Sequence, residues 1–333
     1  MAAASSGSPR RVIIDTDPGI DDALALALAL RSPELRVEAI TTVGGNVNVE
    51  LGTSNALRVL EALRIENPPP VARGAGRPLE RDAVDASHVH GADGLGDISK
   101  LTEADGSPRY AAPRATACDQ EAVDLILDVI RKNPGEITLI AVGPLTNVAL
   151  AIERDAATMT QLAELIIMGG SVAGIGNVTP AAEFNFFADP HAAQRVLRAG
   201  LNTTLVGLDV THQTLLAKSD FEEQLAKTNA RTGRFLADVS EMYFAVGAAR
   251  RGEPLCPLHD PLAVGVAIDR SFVRTQAFAA DVETEGPLTQ GMLVADRRKH
   301  NAPSELQGRI DACVEVEADR FVEFFLSRIL PPA

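Results

Sequence analysis

Four carboxylates crowd the stretch Val12-Ile13-Ile14-Asp15-Thr16-Asp17-Pro18-Gly19-Ile20-Asp21-Asp22, and this crowding limits what the chain can fold into more than any other feature. The three apolar residues read as a buried strand, Pro18-Gly19 as the turn ending it, and Ala23 to Leu30 as a helix starting at once. The acids therefore share one strand-to-helix corner. Anions held that close raise one another's pKa and cost stability unless protons or a cation compensate. A hard divalent cation is the economical answer. Every candidate donor is an oxygen, with no Cys or His in the stretch, which favours Ca²⁺ or Mg²⁺ over Zn²⁺. A helix macrodipole alone would account for Asp21 and Asp22 but leaves Asp15 and Asp17 unexplained.

With 333 residues, 46% of them hydrophobic, the chain can bury a sizeable core. Its formal charge of −14 argues against nucleic acid, because phosphate binding needs a Lys/Arg surplus. Residues 1–10 are small and polar without a signal peptide's apolar centre and are expected to be a disordered tail, with 11–330 a single domain. The longest apolar run, Ala23 to Leu30, is too short to span a bilayer, so no membrane partner is expected. Cys118, Cys256 and Cys313 form neither a disulfide framework nor a zinc pattern, and a reducing, cytoplasmic compartment is the default.

Strand and helix signals then alternate. Strands are expected at Val37 to Val43, Val71-Ala72, Ile137 to Val142, Leu165 to Met168 and Thr203 to Leu208. Helices are expected at Glu50 to Leu63, Glu121 to Lys132, Leu145 to Glu153 and Asp189 to Ala199. The fold class is α/β, Rossmann-like, an open and mainly parallel sheet with helices on both faces. The last third is less regular, with helices at Ser219 to Ala226 and Gly233 to Gly247, a hairpin from Phe272 to Ala295, and a strand-helix finish from Ala312 to Leu330. Ligands in such sheets sit beyond the strands' carboxyl ends, where Asp15, Asp17, Asn46, Val142-Gly143, Met168-Gly169-Gly170 and Asp209 fall. Arg77 to Thr116 is a long irregular segment of the kind that carries function.

Asp15 to Asp22, Thr41-Thr42-Val43-Gly44-Gly45-Asn46, Val142-Gly143-Pro144-Leu145-Thr146-Asn147, Met168-Gly169-Gly170, Ala182-Glu183-Phe184-Asn185 and His259-Asp260-Pro261 follow one another in a fixed order. In that order they resemble the motifs of the inosine-uridine-preferring nucleoside hydrolases. The resemblance implies that fold, hydrolysis of a ribonucleoside's N-glycosidic bond, and one Ca²⁺ held by Asp17, Asp22, Asp260 and the carbonyl of Val142. Asp17 would also be the general base acting on a calcium-bound water. Asp15 would fix its neighbours, and Asp21, Asn46, Asn177, Glu183 and Asn185 would grip the ribose hydroxyls. Met168 would lie near the substrate. His259 is the first candidate for the leaving-base side and His90, in a segment that could close as a lid, the second. Family members form homodimers or homotetramers.

Other polar residues carry plainer expectations. Asp189 before Pro190 reads as a helix N-cap, Asp209 and His212 as structural hydrogen-bonding groups near the site, His191 as a helix-surface residue and His300 as a loop residue. The chain has no Trp, which disfavours the branch of the family that stacks a purine on indole and leaves base contact to Phe184, His259, His90, Tyr243 or Phe244. Purine, pyrimidine or both therefore stay open as substrates. Two alternatives stand beside this reading. A haloacid-dehalogenase-type phosphatase also starts with a strand and Asp-x-Asp, but here Gly19 and Asp21-Asp22 replace its pattern. A non-catalytic, calcium-dependent ribonucleoside binder would keep the site without turnover.

Overall fold

The computed structural model describes residues 8–228, 231–298 and 304–331. His300 lies outside them, as do residues 1–7 of the expected tail. Arg10, expected in the tail, is the first residue of strand β1 (Arg10–Thr16). Its N–H donates to the Glu34 carbonyl at 2.8 Å and its guanidinium reaches Glu164 at 3.3 Å. The other strands are β2 (Leu35–Thr42), β3 (Val71–Arg73), β4 (Ile137–Ala141), β5 (Glu164–Met168), β6 (Thr203–Val206), β7 (Leu215–Ala217), β8 (Leu255–Pro257), β9 (Val273–Val282), β10 (Leu293–Ala295) and β11 (Gly308–Val316). The main sheet runs β10-β9-β11-β6-β5-β4-β1-β2-β3. It is parallel from β11 to β3, and β9 and β10 add the expected antiparallel hairpin at one edge.

Strand residues alternate between two cores, as a period of two demands of a sheet covered on both faces. Val12, Ile14, Ile140 and Ile166 face one core, while Ile13, Leu139, Ile167 and Leu205 face the other. The first core packs helices α1 (Ile20–Arg31) and α2 (Val49–Leu63). The second packs α4 (Ala122–Lys132), α5 (Thr146–Met159) and α7 (Pro190–Arg198); α3 (Ser87–His90) and α6 (Phe184–Ala188) are short turns at the sheet's carboxyl edge. Then come α8 (Leu208–Thr211), α9 (Lys218–Ala226), α10 (Arg231–Arg251), α11 (His259–Ile268) and α12 (Ala318–Ile329).

Helix α1 explains the Ala/Leu run. Every residue from Ile20 to Ala29 is buried, because α1 is covered by α11, α12, α2 and α10 as well as by the sheet. A helix enclosed on all sides needs no polar face. It starts earlier than the apolar run suggests, at Ile20, so Asp21 and Asp22 lie in its first turn. The chain builds β1, β2 and β3 outward on one side, then returns to place β4 on the other side of β1. That reversal is the topological switch point where open α/β sheets take their ligands, and Asp15, Asp17 and Val142 lie at its carboxyl ends.

Candidate active site

Asp17 follows β1 directly and is fully buried. Its Oδ2 accepts the Asn46 N–H at 2.6 Å, while Oδ1 has no hydrogen-bond partner among the described residues. Two glycines make room for it. A Cβ on Gly45 would collide with Oδ2, and one on Gly143 would come within 2.7 Å of Oδ1. Burial first and the neighbouring Asp22 second hold the Asp17 carboxyl well above the usual carboxylate range.

Asp22 is better supplied. It accepts from the Thr16 hydroxyl, from the Asp17 and Gly19 N–H groups at 3.2 and 2.8 Å, and from the Asn46 amide at 3.0 Å. The bond from Gly19 also caps the first turn of α1, so one side chain serves the helix end and the acid cluster together. Asp260 enters from the first turn of α11. Carboxylate oxygens of Asp21, Asp22 and Asp260 all lie within 4.8 Å of one another. Asp21 Oδ1 has no partner among the described residues, and burial followed by Asp22 pushes its carboxyl up to about 8. Orphaned, desolvated oxygens from an all-carboxylate set fit a hard cation. The carboxylates whose oxygens gather this closely are Asp21, Asp22 and Asp260; Asp17, expected with Asp22 and Asp260, stands beside them with Oδ1 lacking a hydrogen-bond partner among the described residues.

Beneath the cluster, Asp15 accepts from the Thr41 hydroxyl at 2.5 Å and the Asn147 amide at 2.8 Å, and burial lifts it to about 6. Asn147 also donates to the Thr42 carbonyl at 2.9 Å and accepts the Ala75 N–H at 2.8 Å. One amide thus ties the ends of β1 and β2 to the segment after β3.

Above the acids opens a cavity of ≈ 450 Å³, a volume suited to a small-molecule ligand. Asp21, Asn46, Val142, Met168, Asn177, Glu183, Phe184, Asn185, His90, His259 and Asp260 all line it. Asp17 and Asp22 lie behind that wall. Glu183 caps α6, accepting from Asn185, Gly170 and Phe186 N–H groups at 2.8, 3.0 and 3.1 Å, and burial raises it to about 7. The Asn185 amide donates to the Val142 carbonyl at 2.8 Å and to the Met168 carbonyl at 3.2 Å. Asn177 accepts the Phe184 N–H at 2.9 Å, pinning its loop over the cavity.

Histidines complete the wall beside the acids, with His90 Nδ1 3.8 Å from Asp21 Oδ1. His90 Nδ1 accepts the Ile20 N–H at 3.0 Å, which makes the ring a neutral Nε2–H tautomer. In that state it can donate a hydrogen bond but has no spare proton to give, so its geometry fits a positioning donor better than an acid. The close approach also requires Gly19, where a Cβ would lie 2.6 Å from Nδ1. His259 Nδ1 bonds the Thr211 hydroxyl at 2.8 Å, leaving Nε2 for the cavity. Burial first holds both rings down, to about 3.

Among the remaining polar and aromatic residues some expectations hold and others change. His212 lines the cavity with its ring 5.7 Å from that of His259, so it belongs to the site wall. Asp209 holds the segment after β5 by accepting from Val172 and Ala173 N–H groups, each at 2.8 Å. Tyr243 lines the cavity, but Phe244 turns into the core against Phe221, 5.9 Å between rings. Asp189 caps α7 through the Ala192 N–H, and His191 pairs with Glu80 at 3.4 Å. Sequence reasoning missed His88, Arg250 and Arg251 as wall residues; the available signal was an Arg-Arg pair just upstream of His259.

A sequence model of the inosine-uridine preferring nucleoside hydrolases matches residues 12–323. The chain belongs to that family, and it is an N-glycosyl hydrolase acting on nucleosides. It is similar to the inosine-uridine preferring nucleoside hydrolase of Leishmania major, 37% identical over 94% of this chain and 95% of that protein. It is equally similar, at 37% over 96% and 97%, to the pyrimidine-specific ribonucleoside hydrolase RihA of Klebsiella pneumoniae. Among solved structures, the purine-preferring ribonucleoside hydrolase from Gardnerella vaginalis superposes with a TM-score of 0.85 at 33% identity, covering 96% and 98% of the two chains. Membership replaces the phosphatase and non-catalytic alternatives. No helix among the described residues is long and apolar enough to cross a membrane.

Proposed function

We propose that this chain hydrolyses ribonucleosides to ribose and free base with Ca²⁺ held by Asp17, Asp22, Asp260 and the Val142 carbonyl. Residues 11–330 act as one domain, a reading supported by the nine-stranded sheet whose strands come from both the first and the last parts of that range. The observation that carries the reading is the partnerless Oδ1 of Asp17, set between two obligatory glycines and behind a cavity lined with further acids and amides. A bound dication supplies charge compensation and lowers the pKa of an attacking water. Asp17 would take the proton of the attacking water as the water oxygen bonds C1′. The electron pair of the breaking C1′–N bond leaves with the base. Asp21, Glu183, Asn46, Asn177 and Asn185 hold the ribose, with carboxylates accepting from its hydroxyls and amides donating to their oxygens, and Met168 and Phe184 close its apolar sides. The same anions stabilise the oxocarbenium-like ring. His259, through Nε2, serves the departing base.

Purine and pyrimidine nucleosides both remain in this proposal, because the similar proteins named above include one of each preference. Three cysteines without a disulfide support a cytoplasmic setting, and Leu288, 85% exposed, offers an apolar contact for a homodimer or homotetramer. Ribose release from inosine, uridine, adenosine, guanosine and cytidine, before and after chelation, tests the function. Release that stops on chelation and returns with calcium is expected; release that survives exhaustive chelation would overturn the metal assignment, and none from any nucleoside the reaction.

A further inference from the structure

His259 owes its setting to a short ribbon. Strand β7 follows α8 and β8 precedes α11, and their antiparallel pairing sets Leu215 against Pro257. The Leu258 N–H then donates to the Thr214 carbonyl at 2.9 Å, which lays the end of α8 against the first turn of α11. The start of α8 is tied to the segment after β5, where the Gly170 carbonyl accepts the Leu208 N–H at 2.9 Å. On this frame Thr211 is fully buried, and its hydroxyl's one hydrogen bond among the described residues is the 2.8 Å contact with His259 Nδ1. Thr214, by contrast, directs its hydroxyl back to the Val210 carbonyl at 3.0 Å.

A buried hydroxyl needs an acceptor for its own proton, and a buried donor left without one is costly. If Nδ1 carried the ring proton, it would donate to the Thr211 oxygen and leave the hydroxyl proton without a partner. With Nδ1 as acceptor both protons have a place, and the neutral ring carries its hydrogen on Nε2. We propose, resting on the hydrolase reading above, that Thr211 is a positioning residue of the reaction: its hydroxyl fixes the orientation and tautomer of His259, so that Nε2–H stands in the cavity wall as a hydrogen-bond donor to the departing base. That bond strengthens as the electron pair of the breaking C1′–N bond moves onto the base, so it acts on the transition state more than on the bound nucleoside. A side chain of the same shape without the hydroxyl leaves Nδ1 unpartnered, and the ring is then free to turn and to hold its proton on either nitrogen.

Two ribosides separate this role from a merely structural one. Inosine needs its base stabilised as it leaves, whereas the nitrophenolate of p-nitrophenyl β-ribofuranoside leaves unaided; both use the same ribose contacts and attacking water. Thr211→Val is expected to lower kcat on inosine about tenfold with KM little changed, and to change turnover of the aryl riboside by less than about twofold, the scale of one buried hydrogen bond. Thr211→Ser, which keeps the hydroxyl, should restore inosine turnover. Solid-state NMR of the wild-type protein carrying isotope-labelled histidine, with the His259 signals identified by their loss in His259→Gln, should show Nε2 protonated and Nδ1 bare. Equal losses on the two ribosides, no recovery in Thr211→Ser, or a proton on His259 Nδ1 overturns the inference. Failure of the wild-type protein to turn over either riboside, with calcium present, removes the hydrolase reading instead, and the His259 spectrum still reports whether Thr211 sets the tautomer. The spectrum and Thr211→Ser decide the matter even if Thr211→Val folds poorly.

Discussion

Two parts of the cavity wall are built by different rules. At the ribose end, the end of strand β1, the first turns of α1 and α11 and the cap of α6 supply the acids, glycines at 45 and 143 leave room for Asp17, and nearly every group is buried. Elsewhere in the wall, α3, the C-terminal turn of α10 and the α8 corner set the buried His90 beside the half-buried His212 and the exposed Arg250 and Arg251. A site on rigid elements can hold reacting atoms in register, whereas long side chains on a rim can change partners without disturbing the fold. The relatives named above, of similar overall identity to this chain, carry names that record different base preferences.

The sharpest way to break this division is at Asp17. Asp17→Asn is expected to lower kcat by about a thousandfold with the fold intact, the scale of a lost general base; near-normal turnover would sink its assigned role. Next comes Gly143→Ala, which forces the Asp17 carboxylate out of place. A fall in kcat of roughly a hundredfold with little change in thermal unfolding is expected, and unchanged kcat would show that the glycine cradle does not set the geometry.

Metal ligation separates Asp17 from Asp21. Calorimetric calcium titration should find affinity largely lost in Asp22→Ala, and reduced more in Asp17→Asn than in Asp21→Asn, whose main effect falls on KM. The reverse order would hand the ligand role to the trio of Asp21, Asp22 and Asp260.

The acids also make a pH prediction for the metal-free protein. Asp15 at about 6, Glu183 at about 7 and Asp21 at about 8 all titrate above their unfolded values. Groups raised in this way contribute stability that is full below the unfolded pKa and lost as pH rises through the folded one. Chelated protein should therefore lose roughly 5 °C or more of Tm between about pH 4 and pH 8, and calcium, by placing positive charge beside these acids, should reduce the loss. A Tm rising with pH after chelation would contradict it. The smallest effect belongs to the base end, where His259→Ala should slow purine and pyrimidine nucleosides unequally; equal, slight losses would remove it from the leaving-base role.

The sequence by itself determined the alternation of strands and helices, the acid-rich corner after β1 and its ordered companion motifs, because hydrophobic period and turn residues are local properties. Asp189 as a cap and the Phe272 to Ala295 hairpin were legible for the same reason. Only the tertiary structure decided which acids meet. Asp260 is distant in sequence from Asp17, and the first turns of α1 and α11 bring oxygens of Asp21, Asp22 and Asp260 within 4.8 Å of one another. It also decided that His90 is a neutral acceptor of the Ile20 N–H, that Phe244 faces the core while Tyr243 faces the cavity, and that His212, Arg250 and Arg251 stand in its wall. These facts depend on how α10 and the long segment before α4 lie across the sheet. That placement is set by packing between residues far apart in the chain, which no local pattern records.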